Sequence, residues 1–323
     1  MNTCLEHLRQ AGFAAHPVGG CVRDTLLGRT PGDWDVTTSA RPEAILALFD
    51  HAIPTGGHHG TVTVILEGGK VEVTPFREEG DYTDGRHPNR VEFVESLESD
   101  LSRRDFTINA MAFGSGETVI DRFGGREDLD RRLIRCVGEP ERRFTEDALR
   151  ILRAVRFAAQ LDFVIEEETA AAMEACKEGI SQVSAERVTA ELEKTLLSPH
   201  PAWVGEFFRL GVMERFECCT LYADWSKLET LETESGPRWR GLCALTGLDV
   251  ARLPVSRAVK RAVLRPHEGL EKTLALSGGD LMALGFQGAE IGAAQKSLVN
   301  YVLAHPEKNT PEELTIYLKQ QTG

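Results

Sequence analysis

No apolar run in the chain approaches the ~20 residues of a membrane-spanning helix, and the first residues lack the basic-then-apolar pattern of an export signal. Cysteine is sparse and unpatterned. Seven residues, an odd number with no C-x-x-C pair, argue against a disulfide framework and a structural zinc site, and predict a reducing, cytoplasmic setting. Positive charge is short as well: 37 Lys and Arg stand against 50 Asp and Glu, a net charge of −13, which argues against a protein that binds nucleic acid over its whole surface. The shortage is uneven. Arg103-Arg104, Arg131-Arg132, Arg142-Arg143, Arg150, Arg153 and Arg156 crowd the first half, so a local basic track on an acidic protein stays open. The rest is ordinary: 323 residues, 41% hydrophobic and 27% charged, suffice for two or three domains with a sizeable core.

The most informative stretch is 19–38. Gly19 and Gly20 open it, Arg23 follows, and it closes on Asp33 and Asp35. In an extended strand, residues two apart share a face, so the two aspartates can hold one cation site together. Mg²⁺ is commonly held by one or two carboxylates, with waters and substrate phosphates completing its shell. The glycines let backbone approach a phosphate closely, and Arg23 adds a permanently charged fork. Together these residues describe a device for placing a nucleoside triphosphate on metal ions.

The ordered string Gly19-Gly20-Cys21-Val22-Arg23-Asp24 through Pro31, Asp33 and Asp35 resembles the signature of the DNA polymerase β-like nucleotidyltransferases. Within them it resembles the class II tRNA nucleotidyltransferases (CCA-adding enzymes) and their bacterial poly(A) polymerase relatives. Arg103-Arg104-Asp105-Phe106 with Asn109 and Ala110 is similar to the second motif of that family. The resemblance implies that Arg104, Asp105 and Asn109 contact the phosphates and ribose of the incoming nucleotide, which suits a fork donor and a carboxylate acceptor. A requirement for the 2′-hydroxyl would then select ribonucleotides. Glu72, mid-strand between valines, reads from alternation alone as the solvent face of an edge strand. The resemblance adds it as a possible third carboxylate, below Asp33 and Asp35. Residues 76–99 are polar and loop-like, and the resemblance makes them the flexible loop needed to add A, with Arg86 as its working charge.

Residues 144–157 read as one amphipathic helix capped by Thr145, with Ala148, Ile151, Leu152 and Val155 on an apolar arc. Glu146, Asp147, Arg150 and Arg153 lie on the other arc, where a salt-bridged solvent face is the default reading. Their resemblance to the family's base-reading motif makes Asp147 and Arg150 the expected protein template, with Glu146 orienting Arg150. The chemistry is coherent. A carboxylate accepts from the exocyclic amino group of C or A, and an arginine donates to the ring nitrogen beside it; G and U present the opposite pattern. Ser184 to Leu192 starts a further helix, in which the resemblance gives Glu186 and Arg187 a supporting role.

Apolar spacing predicts helices over 2–10 and 42–50, a hairpin of Thr61–Ile65 with Lys70–Thr74, and a strand at Val91–Val94. Gly56 to Gly60 reads as a turn, and neither His58 nor His59 is expected to bind metal. Beyond Pro199 the pattern is helical and the resemblance faint. The expected architecture is α+β: a nucleotidyltransferase head at 1–120, then an all-helical neck (121–197), body (198–265) and tRNA-binding tail (266–323). The expected reaction is Mg²⁺-dependent, template-independent addition of CCA to the tRNA 3′ end from CTP and ATP, with no membrane partner. The nearest alternatives are an A-adding enzyme or a poly(A) polymerase; the alternative from another class is a catalytically silent RNA- or nucleotide-binding module. Gly20, Arg23, Arg86, Arg104, Asp105, Asn109, Glu146, Asp147, Arg150 and Arg153 complete the expected site.

Overall fold

The computed structural model describes residues 1–55, 60–80, 91–220, 222–265, 274–305 and 308–322. Its first element is the amphipathic helix α1 (Asn2–Gln10), whose Cys4, Leu5 and Leu8 face inward. β1 (Ala15–Pro17), α2 (Gly20–Leu26), β2 (Asp35–Thr38), α3 (Pro42–Leu48) and β3 (Ala52–Pro54) follow. Pro42 opens α3 at the position where a missing N–H is harmless. Alternating valines then fold back as the expected hairpin of β4 (Val62–Leu66) and β5 (Gly69–Pro75).

These strands form one mixed sheet in the order β1-β2-β5-β4-β3, in which the β2–β5 pair is parallel. Period-two alternation gives the sheet two unlike faces. Val36, Val62, Val64, Val71 and Val73 are buried against Cys4, Leu5 and Leu8 of α1 and Ile45 and Phe49 at α3. The opposite face carries Asp35, Thr37, Thr63 and Glu72. β5 is therefore central and not an edge strand, and its Glu72 is nonetheless exposed.

β6 (Arg77–Glu79) pairs with β7 (Val91–Phe93), and α4 (Leu97–Ser102) follows, capped by the Ser96 hydroxyl. A second hairpin, β8 (Met111–Phe113) with β9 (Val119–Asp121), leads into α5 (Gly125–Arg131). Gly125 is required there: a Cβ would lie 2.3 Å from the Thr107 carbonyl oxygen, so the Gly124-Gly125 bend is tightly packed. β10 (Leu133–Ile134) pairs in parallel with β11 (Val164–Ile165) around α6 (Pro140–Glu146) and α7 (Leu149–Leu161). α8 (Glu167–Cys176), α9 (Ala185–Leu196), α10 (Gly205–Arg209) and α11 (Ser235–Thr246) complete a first compact unit, Met1–Pro254. The second unit, Val255–Gly323, holds α12 (Arg257–Leu264), α13 (Gly278–Ala283), α14 (Ala289–Ala304) and α15 (Pro311–Thr322). Leu281, Leu298 and Leu314 form its core, and a reciprocal Ser277–Asp280 capping box starts α13.

Three further expectations change. Asp33 lies in a bend before β2, so of the two aspartates only Asp35 is in a strand. The single helix over 144–157 is two helices: Pro140 starts α6 early, Thr145 sits inside it, and Asp147 breaks it with extended backbone (φ −150°, ψ 102°). The arginine-rich first half forms inward ion pairs more than an open basic track, with Arg103, Arg104, Arg143, Arg150, Arg153 and Arg156 each on a carboxylate. All seven cysteines are free thiols, and no helix among the described residues is long and apolar enough to cross a membrane.

Candidate active site

Parallel pairing of β2 with β5 sets Asp35 directly opposite Glu72, and antiparallel pairing with β4 sets Thr63 on the other side of Glu72. Residues opposite one another share a face, so the two carboxylates stand side by side on the face of the sheet away from the valine core. Burial pushes the Asp35 carboxyl above its ordinary range; the Glu72 and Asp33 charges add to this, and Arg104 opposes it. Such surplus negative charge is what a cation relieves. Among the described residues no three ligating side chains converge into a ready-made cage, but two carboxylates with space for waters and phosphate oxygens fit Mg²⁺.

Packed onto this face is a carboxylate that the sequence reading passed over. Asp100 is wholly buried and accepts from the Thr37 hydroxyl (3.0 Å), from Arg103 Nε and Nη2 (3.0 and 2.7 Å) and from Arg104 Nη2 (3.2 Å). Gly19 holds φ +80°, which favours glycine, and Arg104 lies over it, so that a Cβ there would come within 2.8 Å of Nη1 and displace the Arg104 guanidinium. Arg104 Nε is buried without a hydrogen-bond partner. Burial alone would raise the Asp100 carboxyl, but the two guanidinium groups outweigh it and hold the acid below its ordinary value. The stability it contributes is therefore fully present above the unfolded value of about 3.9 and lost as pH falls through the folded one. Asp100→Asn is expected to lower unfolding free energy by about 3 kcal/mol at neutral pH. In urea titrations the gap to wild type should hold from about pH 8 to about pH 5 and close below about pH 4; a gap that widened in acid would refute this assignment.

A second chain of contacts crosses from α2 to α7. Arg23 pairs with Asp24 (2.8 Å) and donates to Asn109 Oδ1 (2.7 Å), while Asn109 Nδ2 donates to Asp105 Oδ1 (3.2 Å). Asp105 Oδ1 also accepts the Phe106 N–H, and Oδ2 accepts from Arg153 Nε (2.8 Å) and Nη2 (2.6 Å). Burial opposes ionisation of Asp105, yet the Arg153 charge and these hydrogen bonds hold its carboxyl far below the usual range. Gly20, the first residue of α2, lies beside Arg23: a Cβ there would be 3.6 Å from Nη2. The sequence-predicted Arg23, Asp105, Asn109 and Arg153 are thus one connected group.

The break between α6 and α7 displays the remaining pair. Asp147 Oδ1 accepts the Leu149 N–H (3.1 Å), capping α7, while Arg187 from α9 grips both carboxylate oxygens (3.3 and 2.7 Å). Arg150 donates to Glu146 Oε2 (2.7 Å) and to the carbonyls of Arg143 and Arg103 (both 3.1 Å), so Glu146 does hold Arg150. Sequence reasoning missed the direct grip of Arg187 on Asp147, which joins residues forty positions apart. It also missed Asp100, for which the i,i+3 and i,i+4 spacing to Arg103 and Arg104 was a legible signal. Arg86 lies outside the described residues, as do His58 and His59.

Two family profiles match the chain. One, described as the poly A polymerase head domain, covers residues 15–135; the other, described as a probable RNA and SrmB-binding site of polymerase A, covers residues 162–216. Over 198 residues, 61% of the chain, it is 50% identical to the CCA-adding enzyme of Geobacillus stearothermophilus, covering 49% of that protein. It is 47% identical over 211 residues, 65% of the chain, to the CCA-adding enzyme of Limosilactobacillus reuteri (strain DSM 20016), covering 52% of it. The chain spans about half the length of these curated relatives. The crystal structure of the Bacillus stearothermophilus CCA-adding enzyme in complex with CTP aligns over 99% of this chain and 96% of that one, with a TM-score of 0.67 and 30% identity. With the paired carboxylates, the arginine-rich second motif and the Asp147–Arg150 junction in place, the chain belongs to the class II tRNA nucleotidyltransferases, the family of CCA-adding enzymes and bacterial poly(A) polymerases.

Proposed function

We propose that this chain is a template-independent nucleotidyltransferase that completes the CCA end of tRNA from CTP and ATP. The observation that carries the reading is the pairing of Asp35 with Glu72 on the sheet face away from the valine core, with Arg104 beside Asp35. Asp33 and Asp35, assisted by Glu72, would hold Mg²⁺; bound there, it supplies charge neutralisation at the attacking 3′-hydroxyl and the leaving pyrophosphate. Arg23 and Arg104, the latter held by Asp100, gather triphosphate oxygens, with Gly20 allowing close backbone approach. Asp105 and Asn109 meet the ribose hydroxyls.

Asp147 accepts from N4 of C or N6 of A, and Arg150 donates to the adjacent ring nitrogen. Arg187 and the Leu149 N–H fix the carboxylate, and Glu146 fixes the guanidinium, so both reading groups are held before a base arrives. Such positioning, with charge stabilisation, does most of the catalytic work. In this reading 1–120 is the catalytic head, 121–197 the base-reading neck, and 198–265 and 266–323 the helical body and tRNA-binding tail. The setting is the cytoplasm.

The test is stepwise extension of three tRNAs that lack CCA, end in C, or end in CC, each offered CTP, ATP or both. Each should be completed to CCA and go no further, with GTP and UTP used at least about 100-fold less well. Arg150→Ala should reduce that preference by the equivalent of about 1–3 kcal/mol. Extension confined to the tRNA ending in CC would replace the reading with A addition, and unlimited A addition to any RNA would replace it with poly(A) synthesis. No transfer by the folded protein would leave a silent binding module.

A further inference from the structure

Three guanidinium groups meet at one aromatic ring. Arg156 Cζ lies 3.9 Å from the Phe157 centroid, Arg23 Cζ 5.1 Å and Arg153 Cζ 5.3 Å. Phe157 is buried, and Phe106 meets it edge-on at 5.8 Å. Each arginine already has its own carboxylate: Asp24 for Arg23, Asp105 for Arg153 and Glu191 for Arg156. The ring is therefore not needed for neutralisation. It adds a rigid surface within cation–π reach of all three guanidinium groups, which restricts their movement.

Arg23 and Arg153 are the two ends of the Arg23–Asn109–Asp105–Arg153 chain of contacts. Phe157 touches both ends and closes the chain into a ring. Asn109 is held so that its carbonyl meets Arg23 and its amide nitrogen meets Asp105, an orientation that depends on both arginines staying where they are. We propose that Phe157 is a positioning residue for sugar selection: through Arg23 and Arg153 it fixes Asn109 and Asp105, so preference for ribo- over deoxynucleotides depends on a ring that touches neither sugar nor base. This inference rests on the nucleotidyltransferase reading of the site. It separates sugar choice from base choice, because Asp147 and Arg150 are held by Arg187, Glu146 and backbone groups.

The experiment compares wild type with Phe157→Leu, which stays apolar but loses the ring, and Phe157→Tyr, which keeps it. Equilibrium affinities for ATP, dATP and GTP are measured without tRNA, so the result stands apart from whether the protein transfers nucleotides. Extension of a tRNA ending in CC is followed in parallel and reports on the function reading separately. Wild type should prefer ATP over dATP by about tenfold or more. Phe157→Leu should lose most of that ratio while its ATP-over-GTP preference stays within about twofold, and Phe157→Tyr should restore the sugar ratio. If Phe157→Leu does not fold by circular dichroism, Phe157→Met is held to the same two ratios. An unchanged sugar ratio in the ring-less variant overturns the inference. So does a parallel fall in both ratios, which marks general loosening, or a wild type that binds ATP and dATP alike.

Discussion

Asp35→Asn is expected to abolish nucleotidyl transfer and, measured in chelator, to raise the melting temperature of the same protein. The activity loss should be at least about 10²- to 10³-fold, because the substitution removes a charge that must be in place when negative charge develops on the transferring phosphoryl group. The stability gain follows from the register. Asp35 faces Glu72 across neighbouring strands, and like charges directly opposite one another are destabilising. Its carboxyl is raised above the ordinary range by burial and by the Glu72 and Asp33 charges. A raised acid contributes stability that is fully present below the unfolded pKa and lost as pH rises through the folded one. Above the raised value the ionised Asp35 is therefore a net strain on the fold, and asparagine relieves it. Each kcal/mol relieved should appear as about 2–4 °C in a unit of this size. The difference should vanish below about pH 4, where wild type is protonated too. It should also shrink on adding Mg²⁺, because wild type offers three carboxylates to the cation and the variant, keeping Asp33 and Glu72, only two. A variant that melts lower than wild type at pH 7 in chelator would show that Asp35 is held by partners that want its charge.

What was legible in the sequence was what depends on near neighbours. The valine alternation of β4 and β5, the Cys4, Leu5 and Leu8 spacing of α1, Pro42 at the head of α3 and Ser184 at the cap of α9 each write their element in a few adjacent residues. The ordered motifs and the resemblance also singled out Asp35, Glu72, Arg23, Asn109, Asp105 and Arg153, but which of them touch was written only in the fold, which sets Asp35 against Glu72 and links Arg23, Asn109, Asp105 and Arg153. The break at Asp147 was not legible, because the apolar arc from Ala148 to Ala159 runs on smoothly while the interruption comes from a carboxylate that caps Leu149 and answers Arg187. Arginine spacing misled for a similar reason. Arg143, Arg150 and Arg156 belong to what reads in sequence as a local basic track, yet each is buried because a carboxylate waits for it in the fold. Of the three arginines at Phe157, Arg153 and Arg156 are its neighbours on α7, but Arg23 arrives from α2, and only the meeting of all three at one ring gives it a role.

The largest stability effect is expected at Glu191. Glu191 and Arg156 are both buried, Arg156 Nε donates to Glu191 Oε2, and the pair joins α7 to α9. Burial lowers the pKa of Arg156 even with Glu191 beside it. Glu191→Ala leaves that guanidinium with Gln160 Oε1 at 2.8 Å and the Phe157 ring, and with no close carboxylate among its hydrogen-bond partners. Breaking a buried pair from one side costs about 3–5 kcal/mol, so the first unit should melt about 10 °C lower. Glu191→Gln, which keeps an acceptor of the same shape, should cost less than Glu191→Ala. The double replacement Arg156→Met with Glu191→Leu should cost less than either single change to alanine, because it removes both charges from a site where their desolvation is expensive. A double-mutant cycle by urea unfolding measures the coupling directly. A Glu191→Ala variant within about 1 kcal/mol of wild type would mean that Arg156 swings out to solvent. In that case α7, which carries Arg150, Arg153 and Phe157, would have to be aligned on α9 by apolar contacts and the Asp147–Arg187 pair alone, and Arg187→Ala would then become the change that separates the two helices.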